Sequence, residues 1–241
     1  MLTEAGKGLP IAETFHSIQG EGTYVGTPMH FIRLAGCPVG FKATEEAVTA
    51  LKPGDHEVIP VLESGRRGSL CKTWDGRRFT CDTDFSCHTY KTVDELIGET
   101  WEKHICLTGG EPLIHQQSLI PLGFFQKAFQ KGIMIHIETS GTIMLAEVFH
   151  HDKRVWITVS PKFDCKLDML CLADEIKLLV DENFDPKNFF KDPQYKGQIF
   201  LSPINGEKEV NQKNVELTLK WLEHYPTWRL SAQWHKFLNL R

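Results

Sequence analysis

Short apolar runs alternate with longer amphipathic stretches along most of the chain, the rhythm of successive βα units. Residues 29–35 and 105–108 read as strands that end at Gly36-Cys37 and Gly109-Gly110. Between them, residues 92–103 place Val93, Leu96 and Trp101 on one face and predict a helix. The pattern next predicts a helix over 119–131, with Pro121 in its first turn where a missing N–H costs little. A strand over 133–138, a helix over 143–150 and a strand over 156–160 follow. Strands over 173–180 and 198–202, a helix over 210–224 and a short strand over 227–232 close the chain. Polar residues collect just after the strand ends: Cys37, Thr108 to Glu111, Glu138-Thr139-Ser140, Ser160-Pro161-Lys162, Lys177 and Ser202-Pro203. In parallel α/β architectures that edge of the sheet is where sites are built. The expected fold is therefore α/β, an open or partial barrel of about six βα units.

One stretch breaks the rhythm. Residues 38–70 are rich in turn formers, at Lys52-Pro53-Gly54-Asp55-His56 and from Glu63 to Ser69, with ordered patterning only at 47–51 and 58–62. They read as an insertion within one domain spanning 1–241. No internal repeat is present.

Charge adds little pull in any direction. The chain of 241 residues carries 27 Lys plus Arg against 31 Asp plus Glu, a formal net charge of −4, so neither nucleic acid nor an anionic membrane is an expected direct partner. No apolar run approaches the roughly 20 residues of a membrane span, and residues 1–10 lack the apolar stretch of a secretory signal. A cytoplasmic location is expected. Seven cysteines, an odd and scattered set, do not form the framework of a small secreted domain. In a reducing compartment they are metal ligands, catalytic groups or core residues.

Cys37 follows a strand, Cys71 follows the insertion and Cys81 opens Cys81-Asp82-Thr83-Asp84-Phe85, a thiol beside oxygen donors. Three thiolates suit an iron-sulfur cluster with one iron left free; buried core thiols would explain the same residues. Cys87 is an alternative ligand, while Cys106, Cys165 and Cys171 read as structural. Gly109-Gly110-Glu111-Pro112 lets a ligand approach the backbone closely, with Glu111 able to accept from an amine, although a plain strand-to-helix turn would look alike. Glu13 and the run from Phe15 to Gly22 form a further polar group, for which the plain alternative is a solvated loop. Arg33 interrupts an apolar strand and needs an anionic partner, either a structural carboxylate or a substrate carboxylate held in a fork.

Six motifs in order carry a family resemblance: Phe15-His16-Ser17-Ile18-Gln19-Gly20-Glu21-Gly22, Arg33-Leu34-Ala35-Gly36-Cys37, Cys81-Asp82-Thr83-Asp84-Phe85, Leu107 to Leu113, Glu138 to Thr142 and Ser160-Pro161-Lys162. Over about residues 13 to 203 the chain resembles the 7-carboxy-7-deazaguanine synthases, radical S-adenosylmethionine enzymes of the queuosine pathway for tRNA modification. The resemblance implies a TIM-like partial (β/α)6 barrel of the radical SAM superfamily, a [4Fe-4S] cluster, S-adenosylmethionine, Mg²⁺, a homodimer, and an electron donor such as flavodoxin or ferredoxin. The implied reaction is a carbon-nitrogen lyase step, 6-carboxy-5,6,7,8-tetrahydropterin going to 7-carboxy-7-deazaguanine with loss of ammonia.

The resemblance also implies roles for individual residues. Cys37, Cys71 and Cys81 would hold the cluster, and Thr83 would bind Mg²⁺. Gly109, Gly110, Glu111, Thr139, Ser140, Ser160 and Lys162 would bind S-adenosylmethionine, and Gln19, Glu21, Arg33 and Thr108 would bind the pterin. One departure is large. The family's usual cysteine pattern is the compact Cys-x3-Cys-x2-Cys, whereas here 33 and then 9 residues separate the three. The flanks match at Cys37 and Cys81; Cys71 completes the set, with Cys87 as its alternative, and residues 72–80 must loop back. Two other functions remain open: an activating enzyme that makes a radical on a protein partner, and a zinc-stabilised binding module using Cys37, Cys71, Cys81 and Cys87.

Overall fold

Alternation along the central strands sorts side chains onto two faces. Ile105 and Leu107, Ile135 and Ile137, Val155, Ile157 and Val159, and Ile176, Leu178 and Val180 all enter one buried apolar core. The intervening residues, among them Thr108, Glu138 and Lys177, line cavities instead. In the computed structural model, which describes residues 8–39, 41–42, 69–81, 83–189, 195–206 and 209–238, these strands form one open sheet. Most of the expected insertion, including 47–51 and 58–62, lies outside the described residues, as does Asp82.

Strands β1 (Leu9–Ile18) and β2 (Pro28–Leu34) make an antiparallel pair. Next in the chain come β3 (Phe41–Lys42), β4 (Ser69–Lys72), β5 (Arg78–Cys81) and β6 (Thr89–Lys91). Strands β7 (His104–Gly109), β8 (Met134–Thr139), β9 (Val155–Val159), β10 (Glu175–Val180), β11 (Gln198–Pro203) and β12 (Arg229–Leu230) follow. The nine-stranded order is β12-β11-β10-β9-β8-β7-β2-β1-β6, parallel from β2 to β12, and among the described residues the two end strands do not pair with each other. This is the expected α/β architecture with a mostly parallel sheet, open rather than closed. A separate small sheet, β3-β4-β5, holds Cys71 and Cys81.

Helices cover the core face. Helix α1 (Val93–Glu99) buries Val93, Leu96 and Ile97, and starts at a capping box in which Thr92 and Glu95 satisfy each other's backbone N–H. It stops short of the expected Lys103 because Thr100 turns extended, its hydroxyl donating to Leu96 O and contacting His30 Nδ1. Trp101 is consequently 73% exposed, stacked on His16. The helix expected over 119–131 is two pieces, α2 (Gln116–Leu119) and α3 (Phe124–Gln130). Pro121 cannot donate back along the helix, and Gly123 takes a left-handed φ of 73° between the pieces.

The helix expected over 143–150 is not formed; only a 3₁₀ turn at Glu147–Phe149 is helical. There the Gln116 side chain donates to Met144 O and accepts from Ala146 N, taking the backbone groups a helix would need. The unforeseen elements include β1 as a full strand, the short strands β3 to β6, and α4 (Leu167–Leu172), which buries Met169 and Leu170. Helix α5 (Gln212–His224) precedes β12, and the short α6 (Trp234–Phe237) ends the described chain. Among the described residues no helix is long and apolar enough to cross a membrane.

Candidate active site

Two adjoining cavities open at the C-terminal edge of the sheet. The smaller, about 140 Å³, is lined by Cys37, Cys71, Cys81, Gly109, Gly110, Thr139, Ser140, Ser160 and Lys162 among others. Cys37 follows β2, while Cys71 and Cys81 arrive on the β4–β5 hairpin, whose register pairs Ser69 with Cys81 and Cys71 with Phe79. Residues 72–80 do loop back, and the hairpin is the means. Burial pushes the Cys71 thiol up to about 11, Lys162 pulls it down, and Cys81 and Cys37 add to the rise, so the three sulfurs sense one another. Cys87 is exposed, donates to Thr89 O and is not on the cavity wall. Cys106 lies fully buried in the core, Cys165 is half-buried and Cys171 exposed.

Gly109 and Gly110 make room for backbone. A Cβ on Gly109 would stand 2.3 Å from Leu34 O, and one on Gly110 only 2.0 Å from Gly36 O and 2.8 Å from Cys37 Cβ. The pair thus lets the Cys37 turn press onto the end of β7, in addition to lining the cavity. Glu111 sits behind the wall, fully buried. Its carboxylate accepts from Thr139 Oγ1 at 2.8 and 2.9 Å, Ser140 N at 2.9 Å, Ser140 Oγ and Leu113 N at 3.1 Å. It ties the loop after β8 to the loop after β7. Lys162 donates to Ser160 O and Oγ, and although burial pulls its ammonium down from the ordinary lysine value, the neighbouring Cys71 and Cys81 sulfurs oppose that shift.

The larger cavity, about 700 Å³, holds every residue expected at the pterin site, Gln19, Glu21, Arg33 and Thr108, together with Thr83. It shares Thr108, Gly109 and Glu138 with the smaller one. Arg33 lies 3.4 Å from Glu13 Oε2, donates to Thr83 Oγ1 at 3.5 Å and stands over the Phe15 ring. Lys177 pairs with Glu21 and lies 3.6 Å from Glu138, which also accepts from Gln19 Nε2 at 3.0 Å. Burial alone would raise the Glu21 carboxyl, but Lys177, with His235 and the Gln233 side chain, holds it down at about 2. Burial works against the Lys177 ammonium, yet Glu138, Glu21 and Glu175 hold it well above the ordinary lysine range.

Several lining residues were given no role from the sequence. Glu13 was marked only as part of the polar group with Phe15 to Gly22. Glu138 and Lys177 stood out only as polar residues near strand ends. Gln233, His235 and Lys236 gave none, because they reach the cavity only when Trp234 N bonds Gly20 O at 2.9 Å.

An open, mostly parallel α/β sheet with a thiol-lined cleft and a charged cavity at its C-terminal edge is the arrangement that the resemblance to radical S-adenosylmethionine enzymes leads one to expect. No family model matches the chain. It is 32% identical over 240 residues to the 7-carboxy-7-deazaguanine synthase of Synechocystis sp., covering 96% of this chain and 93% of that protein. The same enzyme of Buchnera aphidicola is 31% identical over 244 residues, covering 96% and 99%. The crystal structure of QueE from Escherichia coli superposes with a TM-score of 0.61 at 27% identity over 93% of both chains. The chain belongs to the 7-carboxy-7-deazaguanine synthase family.

Proposed function

We propose that this lyase converts 6-carboxy-5,6,7,8-tetrahydropterin into 7-carboxy-7-deazaguanine with release of ammonia. The observation that carries the proposal is the pair of cavities sharing one wall, thiols on one side and a guanidinium with buried carboxylates on the other. The donor set fits a [4Fe-4S] cluster held by Cys37, Cys71 and Cys81. Cys87, the fourth thiol that a zinc site would use, is exposed and off the wall of the cavity that Cys37, Cys71 and Cys81 line, which favours a three-thiolate cluster over structural zinc. When bound, the cluster and S-adenosylmethionine supply the radical chemistry.

The chain's own residues bind and orient. Gly109, Gly110, Thr139, Ser140, Ser160 and Lys162 line the cofactor side, with Glu111 fixing Thr139 and Ser140 from behind. Glu21, kept ionised by Lys177, and Gln19 offer acceptors and donors to the pterin edge, with Thr108 beside them. Arg33 takes the substrate carboxylate in a forked contact, and the Thr83 hydroxyl next to it supplies a hard oxygen suited to Mg²⁺. A cavity of this size suits a bicyclic small molecule. Residues 1–241 form one domain with an insertion at 38–70, acting in the cytoplasm as a homodimer fed electrons by a flavodoxin or ferredoxin.

The test is cofactor cleavage by anaerobically reconstituted protein under reducing conditions. Formation of 5′-deoxyadenosine should rise on adding 6-carboxytetrahydropterin and fall with Arg33→Lys, through a higher KM. Cleavage indifferent to the pterin would sink the substrate assignment.

A further inference from the structure

Cys71 and Cys81 ride on a hairpin that belongs to the small β3-β4-β5 sheet, so its position relative to Cys37 depends on what docks it to the main body. The near strand is held by Phe163 N bonding Lys72 O at 3.1 Å and by the Thr73–Lys162 bridge. At the turn, Arg77 reaches across 104 residues. Its Nη1 donates to Asp181 Oδ1 at 2.6 Å and its Nη2 to Leu179 O at 2.9 Å, both at the C-terminal end of β10. Its Nε donates to Asp75 Oδ2 at 2.7 Å, and Asp75 in turn accepts from the Thr73 hydroxyl. The guanidinium stands 5.3 Å from the Phe184 ring centroid, and the side chain is only 11% exposed. Trp74, beside it in the turn, packs edge-on against Phe189.

We propose that Arg77 is a positioning residue for the iron-sulfur cluster: its fork, seated on Leu179 O and Asp181, locks the hairpin so that Cys71 and Cys81 face Cys37. A compact cysteine loop would need no such device, since its ligands would hang from one turn. With 33 and 9 residues between the three thiols, two of them are carried by a unit whose docking must be specified separately. Three donors of one planar group, used on three acceptors, fix orientation as well as distance. The role presupposes the cluster assignment made above.

The chains to compare are the wild type, Arg77→Gln, Arg77→Lys, Asp181→Ala and the double variant Arg77→Gln/Asp181→Ala, all reconstituted anaerobically with iron and sulfide. The readouts are iron per chain, the rate of iron loss to a chelator, the electron paramagnetic resonance signal of the reduced cluster, and the melting of the apo form. Arg77→Gln and Asp181→Ala should each lose iron about tenfold faster or more, as expected for a charged hydrogen bond. Arg77→Lys should fall between them and the wild type. The double variant should be no worse than the worse single, because Asp181→Ala removes only the Arg77–Asp181 contact that Arg77→Gln already removes, with apo melting near wild type throughout. Unchanged iron retention in Arg77→Gln, additive effects, or collapse of the apo fold in that variant would each overturn the role. A wild type that takes up no iron would sink the cluster assignment itself, a result distinct from a loaded wild type with an equally retentive Arg77→Gln.

Discussion

Lys177 sets burial against charge most sharply, at 7% side-chain exposure between Glu21 and Glu138. Replacing it with Met leaves two half-buried carboxylates, Glu21 and Glu138, without the cation they share. The expected cost is about 3–5 kcal/mol in chemical denaturation, as for other broken buried pairs, and an unchanged midpoint would contradict it. The Glu21 carboxyl sits at about 2 against an ordinary 4.5, so its stabilising contribution is complete above pH 4.5 and disappears as pH falls toward 2. Glu21→Gln should flatten that part of the acid-unfolding curve. Among the cysteines, Cys71→Ala should prevent iron loading and Cys87→Ala should not, as read by iron content; the reverse pattern would reassign the third ligand. Where these residues gather was legible wherever a motif marked them, as at Gln19, Glu21, Arg33 and Cys81. Lys177 was visible only as a polar residue in a strand, since its pairing with Glu21 spans 156 positions.

At the scale of elements, periodicity found the parallel strands because each places apolar side chains on the helix-covered face. It missed β1 as a full strand, because Leu9 and Ile11 enter the core whereas Glu13 and Phe15, beyond a register shift, line the site. Helices were misjudged where a side chain or a proline competes for backbone groups, Gln116 at 144–146 and Pro121 with Gly123 in the break between α2 and α3. The contact between the ends of β2 and β7 yields a sharp expectation. Gly110→Ala forces a Cβ onto Gly36 O, so it should cost about 1–3 kcal/mol of stability, the usual range for overpacking. It should also speed iron loss by displacing the Cys37 turn. Stability and iron retention both equal to wild type would show that this approach is not tight.

For the whole molecule, the polar edge of the sheet contrasts with two histidines buried in its body, His30 and His136. Burial, reinforced by His104, brings His136 down to about 3; burial and the nearby His16 bring His30 down to about 4, both against an ordinary 6.5. The unfolded chain therefore takes up protons that the folded one refuses, and stability should fall as pH drops from 6.5 toward 4. Each histidine contributes a slope approaching 1.4 kcal/mol per pH unit, and replacing both with Gln should remove that slope from denaturant titrations. The central claim, that one thiol-lined and one charged cavity together make carboxydeazaguanine, is tested most directly by product analysis. Wild type and Cys71→Ala would be incubated anaerobically with 6-carboxytetrahydropterin, S-adenosylmethionine, dithionite and Mg²⁺, and the products weighed by mass spectrometry. Wild type should yield 7-carboxy-7-deazaguanine and ammonia and Cys71→Ala neither, whereas no product from wild type with a fully loaded cluster would contradict the assignment.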